Sequence, residues 1–255
     1  MRFRQSEIVA IARASGRVAV EDLAQRFGVT VQTVRRDLAE ICASGQLDRV
    51  HGGAVARGGV ANIEYAARAR LNAAAKAAIG RACAAHIPDN ASVILNLGTT
   101  TEAVARELLR HRNLTVITNN MNVANILAYN PGCEVIVTGG ALRREDGGLV
   151  GELTVQQFRH FKADFAVIGV SAIDGDGDLL DFDLAEVRVS KTILQQARQA
   201  FLVADRSKFT RVAPVRLANL SDLNALFTDH ALPPNLARLC KVAGCDIHPC
   251  APRGA

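Results

Sequence analysis

Two rhythms of apolar and polar residues divide this chain of 255 residues. Over the first 57 residues the apolar positions recur at helical spacing. Ile8, Val9, Ile11 and Ala12 share one face, and Ser6 stands where it can cap the helix that carries them. Gly16 ends that helix. Residues 20–27 predict a second helix, Gly28 a tight turn, and Thr30 the cap of a third helix over 31–44. Past Gly45 the run QLDRVHGGAV predicts a small β-ribbon turning at Gly52-Gly53. Residues 58–75, opening on Gly58-Gly59, read as a hinge and linking segment. From residue 76 the rhythm changes to helix, strand, helix, strand. SVILNL, LTVIT, CEVIVTG, ADFAVIGVSA, AFLVAD and NALFTD are apolar runs of strand length, mostly separated by helical stretches. Strands that are apolar throughout are covered on both faces, as in a parallel or mostly parallel α/β sheet. The pattern thus predicts a helical module over 1–57, a linker over 58–75 and an α/β domain over 76–255.

Composition narrows this picture only a little. Hydrophobic residues make up 49% of the chain, aromatics 4%, and tryptophan is absent, so the core is built of Ala, Val, Leu and Ile. No apolar run approaches the roughly 20 residues that span a bilayer. The start, MRFRQSEIVAIARASG, is too polar and too regularly amphipathic for a secretory signal, so a cytoplasmic protein with no membrane partner is expected. A net charge of +5 suits a nucleic-acid partner and suits many enzymes equally. The six cysteines, Cys42, Cys83, Cys133, Cys240, Cys245 and Cys250, include no CxxC pair and are expected as free thiols. Cys240, Cys245, His248 and Cys250 have the wrong spacing for a zinc finger or ribbon, and no metal or cofactor is expected.

The third helix carries the first candidate chemistry. Successive residues turn by about 100°. Val31, Val34, Leu38 and Ile41 therefore fall on a packing face, with Gln32, Arg36 and Ala39 opposite and Thr33 and Arg35 on the flanks. From there Arg36 can reach guanine and Gln32 adenine in a major groove, while Arg35 and Thr33 are placed for phosphates. A lone Arg-Arg pair is usually a solvated charged surface. Here it follows a helix, a glycine turn and a capped helix, with Arg49 and His51 in a basic ribbon behind it, which is helix-turn-helix spacing. The stretch VEDLAQRFGVTVQTVRRDLAEICASGQLDRVHGGA resembles the winged helix-turn-helix of the DeoR family of bacterial sugar-metabolism regulators. It departs from the family pattern at Thr30, where serine is usual; either residue can cap. The resemblance implies Gln32, Thr33, Arg35 and Arg36 at double-stranded operator DNA, with Arg49 and His51 in the wing near the backbone, and Thr30 at the helix start is expected with them.

In the second half, polar corners follow the apolar runs: Gly98-Thr99-Thr100-Thr101, then Thr118-Asn119-Asn120, then Gly139-Gly140 with Arg143-Arg144 after it. In an open α/β sheet such corners converge where ligands bind. Amides at a helix start suit an anion, and asparagines suit hydroxyl groups. Each corner also has a reading without a ligand. Thr99 followed by Glu102 is a capping-box pattern, and Asn119 and Asn120 can cap a helix starting near Met121. The stretch DGDGDLLDFDLAEVR fails as a calcium loop, since its sixth and twelfth positions hold Leu179 and Ala185, and it reads as a turn. Asp181, Asp183, Glu186 and Lys191 remain as pocket candidates, with Asp183 and Glu186 alternatively serving the helix start.

The resemblance to the DeoR family extends over TNNMNVANIL, TGGALRREDGGLVGE, DFAVIGVSAIDGDGDLLDFDLAEVR and LVADRSKF, closest to the branch that represses glycerol-3-phosphate use. It implies an α/β, isomerase-like effector domain with a mostly parallel sheet, behind an α+β winged helix-turn-helix. The effector site it implies includes Gly98, Thr99, Thr100, Asn119, Asn120, Gly139, Gly140, Glu186, Lys191 and Lys208, and the reading of the corners adds Asn96, Thr101 and Asp183. Asn96 departs from the family, which commonly has aspartate there. The function implied is a homo-oligomeric repressor released from operator DNA by a phosphorylated effector such as glycerol-3-phosphate. The rivals are a family repressor answering another sugar phosphate, and an isomerase using Glu186 or Asp183 as general base.

Overall fold

The computed structural model describes residues 3–15, 17–50, 52–56 and 65–251. His51 of the expected wing and Gly58-Gly59 of the expected hinge lie outside the described residues. The chain divides into two compact units, Met1–Arg68 and Ala69–Ala255.

The first unit contains α1 (Phe3–Ser15), β1 (Arg17–Ala19), α2 (Val20–Phe27), α3 (Val31–Ala43), β2 (Leu47–Val50) and β3 (Gly53–Ala56). Helix α1 begins before Ser6, so that serine lies inside the helix and does not cap it. Gly28 closes α2 in the left-handed conformation, and the Thr30 hydroxyl accepts the Thr33 amide at 3.2 Å to cap α3. Val50 pairs with Gly53, so Gly53 already belongs to the returning strand and is not part of the turn expected at Gly52-Gly53. The strand β1, too short to show an alternation, joins β3 to make a three-stranded antiparallel sheet of order β1-β3-β2. Ile8, Leu23, Val34, Leu38, Ile41 and Leu47 form the buried centre of this unit. Val31, expected on the packing face, is 36% exposed, and the buried face instead includes Asp37.

Helix α4 (Tyr65–Arg70) spans the boundary between the two units and α5 (Ala73–Ala84) follows in the second, so helix occupies much of the latter part of the stretch expected as linker. There follow β4 (Ser92–Leu95), α6 (Thr99–Leu108), β5 (Leu114–Thr118), α7 (Met121–Leu127), β6 (Cys133–Val137), the hairpin β7 (Ala141–Arg143) and β8 (Gly148–Val150), and α8 (Glu152–Phe158). Then come β9 (Ala163–Ile168), β10 (Ala172–Ile173), β11 (Asp178–Asp181), α9 (Leu184–Gln195), β12 (Ala197–Val203), β13 (Val215–Asn219), β14 (Ala225–Thr228), α10 (Pro234–Ala243) and β15 (Asp246–Pro249). Seven strands form one parallel sheet of order β15-β14-β12-β9-β4-β5-β6. All six apolar runs supply its strands. The seventh, β15, is a short edge strand reading DIHP and carries no such signal. The hairpin and a small antiparallel sheet, β10-β11-β13, are likewise additions to the expected pattern.

Alternate strand residues enter different cores, which explains the unbroken apolar runs. Ile94, Ile117, Ile168 and Leu202 pack with Phe158, Val189 and Ile193 from α8 and α9. Val93, Val116, Val167 and Phe201 pack with Ile79, Val104, Leu108 and Val123 from α5, α6 and α7. The sheet is thus buried on both faces. On the second face α5 and α6 approach so closely that a Cβ on Gly80 would stand 2.7 Å from the Ala103 carbonyl carbon and 2.8 Å from its oxygen. Gly80→Ala is therefore expected to force these helices apart and to destabilise the unit by about 1–3 kcal/mol, read as a lower urea midpoint. An unchanged midpoint would contradict the close packing.

Candidate functional site

On α3 the side chains divide by exposure. Gln32, Arg35, Arg36 and Ala39 are exposed and Thr33 half-buried, while Val34, Leu38 and Ile41 are buried. Arg49 is exposed on β2. Underneath, α1 is tied to α3 by Arg4, whose Nε donates to Asp37 at 2.6 Å, and by Gln5, whose amide donates to Glu40 at 2.6 Å. Thus a polar, donor-rich face stands on a rigid apolar base, as a helix must to enter a major groove.

In the second unit, strands β4, β5 and β6 run outward to one side, whereas β9, β12, β14 and β15 run to the other. The order reverses between β4 and β9, and ligands of open α/β sheets bind beyond the strand ends at this switch point. The corner after β4 leads into α6, whose N-cap is Gly98 and makes no side-chain capping bond. Thr99 lies already inside the helix, so the capping-box reading of Thr99 and Glu102 does not apply. The Thr101 hydroxyl faces the carbonyls of Asn96 at 2.9 Å and Gly98 at 2.6 Å and thereby fixes the corner. Thr100 is buried, and Thr99 half-buried.

Asn96 donates from its amide to the Ser190 hydroxyl at 2.7 Å. The β4–β5 register pairs Leu95 with Thr118, which brings the next residues, Asn96 and Asn119, to the same edge. Asn119 donates to the Leu149 carbonyl at 3.0 Å. Asn120 caps α7, its Oδ1 accepting the Asn122 amide at 2.9 Å and the Val123 amide at 3.3 Å. The capping explanation therefore covers Asn120 Oδ1 and leaves Asn119 without such a role. Asn96 Oδ1, Asn119 Oδ1 and Asn120 Nδ2 are buried with no hydrogen-bond partner in the structure. Two acceptors and a donor left this way cost about 1–3 kcal/mol each, unless a ligand or solvent satisfies them.

Packing accounts for the double glycine at the third corner. The Gly139 amide is engaged by Gln157, and its carbonyl accepts the Thr154 hydroxyl at 2.7 Å. Gly140 has φ near +140°, and a Cβ there would lie 2.1 Å from Thr154 Oγ1. The pair anchors the β7–β8 hairpin, which delivers Arg143 to a group of acids. Arg143 bonds Asp146 at 3.1 Å, Asp183 at 3.0 Å and Glu186 at 2.7 Å. Burial alone would lower the arginine's affinity for its proton, yet Asp146 and Glu186 outweigh it and fix the charge. Asp183 doubles as the cap of α9, accepting the Ala185 amide at 2.7 Å. Burial, helped by Asp181, outweighs Arg143 and pushes Glu186 up to about 7. Lys191 lies on the exposed side of α9 and does not join this group.

The corner after β12 adds positive charge. Lys208, half-buried in the turn of 3-10 helix Arg206–Thr210, falls to about 8 through burial and the neighbouring charges of Arg211 and Lys76, against the pull of Asp205 and Asp181. Asp205 accepts the Asn72 amide at 2.8 Å. Burial would raise its pKa, but Lys208, Ser207 and Asn72 hold it below the ordinary range. Asp181, at the end of β11, in turn accepts the hydroxyl of Ser171, just before β10, at 2.8 Å. Of this set, sequence reasoning missed Lys76, Arg211, Ser171 and Ser190. Lys76 had a legible signal: it precedes Ile79, Gly80 and Cys83 by three, four and seven positions, which places a lysine on the apolar stripe of α5. It is 5% exposed.

The Glu186 carboxyl gives a pH dependence whose sign follows from the direction of its shift. An acid raised from 4.5 to about 7 keeps its proton in the folded state while the unfolded chain releases it. Stability from this group therefore falls as pH rises from about 4.5 to 7. Glu186→Gln, which mimics the protonated acid, is expected to flatten that decline in melting temperature. An identical profile for both proteins would contradict the assignment.

Comparison with known proteins places both units. A DeoR-like helix-turn-helix domain model matches residues 4–58, and a DeoR C-terminal sensor domain model matches residues 71–230. The glycerol-3-phosphate regulon repressor of Haemophilus influenzae is 43% identical, over 89% of this chain and 88% of the relative. The protein of the same name from Escherichia coli is 40% identical, over 91% of each. A ribose-5-phosphate isomerase solved with phospho-erythronic acid is 15% identical over 52% of each chain, with a TM-score of 0.39. Among the described residues no helix is long and apolar enough to cross a membrane. From its helix-turn-helix domain to its sensor domain, the chain belongs to the DeoR family.

Proposed function

We propose that the protein is a sequence-specific DNA-binding repressor of genes for glycerol-3-phosphate use, released from its operator when a phosphorylated effector binds the second unit. The polar face of α3 supports the DNA half of this reading: Gln32 and Arg36 read base edges, Arg35 and Thr33 hold phosphates, and Arg49 with His51 in the wing lies along the backbone. A homo-oligomer sets two such helices on paired half-sites. The names of the relatives support the regulon.

The observation that carries the effector half is the company of three orphaned buried amide atoms at the switch point with a cationic corner. Asn96 Oδ1 and Asn119 Oδ1 can accept from hydroxyl groups, and Asn120 Nδ2 can donate to one. The amides at the start of α6, with Thr99 and Thr100, offer one grip for a phosphate. Lys76 and Lys208 supply the balancing charge. Glycerol-3-phosphate carries both kinds of group. Gly139, Gly140, Asp183 and Glu186 shape the neighbouring wall, and Lys191 stands at the rim. The effector shifts the equilibrium by preferring a conformation in which the two reading helices are misplaced.

Glu186, holding a proton near neutral pH, is the one feature that favours isomerase chemistry instead. Its carboxylate is committed to Arg143, and Asn96 puts an amide that cannot titrate beside the same pocket. We therefore assign the protein no catalytic activity. A thermal-shift series tests both halves of this choice: stabilisation by glycerol-3-phosphate and none by glycerol is expected, with no isomerase turnover. Turnover of a sugar phosphate that Glu186→Gln removes would overturn the assignment.

A further inference from the structure

The side chains that would read DNA are not the end of the polar network on α3. Glu40 uses both carboxylate oxygens. Its Oε2 accepts from the amide of Gln5 on α1 at 2.6 Å, and its Oε1 accepts from Arg36 Nε at 3.3 Å. Gln5 is itself 6% exposed and held in the packing between α1 and α3, whereas the side chains of Arg36 and Glu40 are 75% and 47% exposed. An exposed arginine ordinarily samples many rotamers. This one is gripped at Nε from behind, by a carboxylate that is fixed in turn by a buried amide, and its terminal nitrogens remain for a base edge. The second tie, Arg4 Nε to Asp37 at 2.6 Å, holds the same two helices together one turn away and does not touch Arg36.

We infer that Gln5 and Glu40 are positioning residues for base recognition: the chain Gln5–Glu40–Arg36 fixes the plane of the Arg36 guanidinium, so specificity at one base pair of each half-site depends on α1. The inference rests on the reading of α3 as the DNA-contacting helix. Two physical consequences follow. Bidentate reading of a guanine needs the fork held in plane, so loss of the grip lowers discrimination at that base pair more than overall affinity. Glu40 also places a negative charge beside the reading face, so its removal strengthens contact with any sequence.

The test uses the full-length protein and duplexes selected from a randomised pool, comparing base preference position by position for the parent, Arg36→Lys, Glu40→Gln and Gln5→Ala. Glu40→Gln is expected to reduce discrimination about tenfold at the position that Arg36→Lys relaxes, with other positions unchanged and the melting temperature retained. In the Arg36→Lys background it is expected to change nothing further at that position. Gln5→Ala is expected to relax the same position, and if it lowers the melting temperature, Glu40→Gln alone decides. A preference like the parent's in Glu40→Gln, or a uniform loss at every position, would overturn the proposal while Arg36→Ala still fails to bind. Full operator affinity in Arg36→Ala would instead overturn the reading of α3, and the proposal with it.

Discussion

Replacing Arg36 with alanine is expected to abolish specific operator binding while leaving effector binding intact. A bidentate arginine–guanine contact is worth about 1–3 kcal/mol of discrimination, and a dimer on two half-sites loses it twice. Specific affinity then falls by roughly one to four orders of magnitude, towards the level of random DNA. Arg36 is 75% exposed on its side chain and its ion pair is with the half-exposed Glu40, so the first unit should melt as before. Arg35→Ala provides the contrast. A lost phosphate contact weakens all sequences alike and lowers the slope of log affinity against log salt by about 1 per half-site, so by about 2 on the dimer's two half-sites. Titrations by fluorescence anisotropy at several salt concentrations separate the two patterns. Equal behaviour of the two variants would contradict the division of roles on α3.

Lys208→Ala carries the other large expected effect, on the effector. A hydrogen bond to a charged group contributes about 1.5–3 kcal/mol, so affinity for glycerol-3-phosphate should fall by roughly ten- to hundredfold or slightly more. The fold should tolerate the change. The charges of Arg211 and Lys76 oppose that of Lys208, and Asp205 keeps the bonds from Asn72 and Ser207. Because Lys208 loses its proton near 8, affinity in the parent should also decline as pH rises past that value, and Lys208→Ala should lack this inflection. Calorimetric titration between pH 7 and 9 reads both effects. Affinity in the variant equal to the parent's would remove Lys208 from the phosphate grip.

What the sequence made legible follows from how local each signal is. The helix–turn–helix is contiguous: Gly28, the Thr30 cap and the apolar positions Val34, Leu38 and Ile41 all act within a few turns of chain. The inner sheet was legible because strands buried on both faces have no polar side. By contrast β15, at the sheet edge, reads DIHP, and β1 has three residues, too few to show any period. The buried Asp37 gave no signal, since its partner Arg4 lies on another helix. The pocket divides in the same way. Its corners showed as polar breaks after apolar runs, but the Ser190 partner of Asn96, and the meeting of Lys76 with Lys208, depend on the crossover order of the sheet. Thr99 looked like a cap because the pattern S/T-x-x-E was present; the structure puts the N-cap of α6 one residue earlier, at Gly98, and frees that threonine from the role.

The most direct test is to titrate the full-length protein onto its selected operator duplex, with and without saturating glycerol-3-phosphate, with glycerol and a ketose phosphate as controls. Glycerol-3-phosphate should weaken operator affinity by at least tenfold, glycerol should do nothing, and Lys208→Ala should bind the operator normally and ignore the effector. A binding curve that glycerol-3-phosphate leaves unmoved, in a protein that does bind the duplex, would contradict release by this effector.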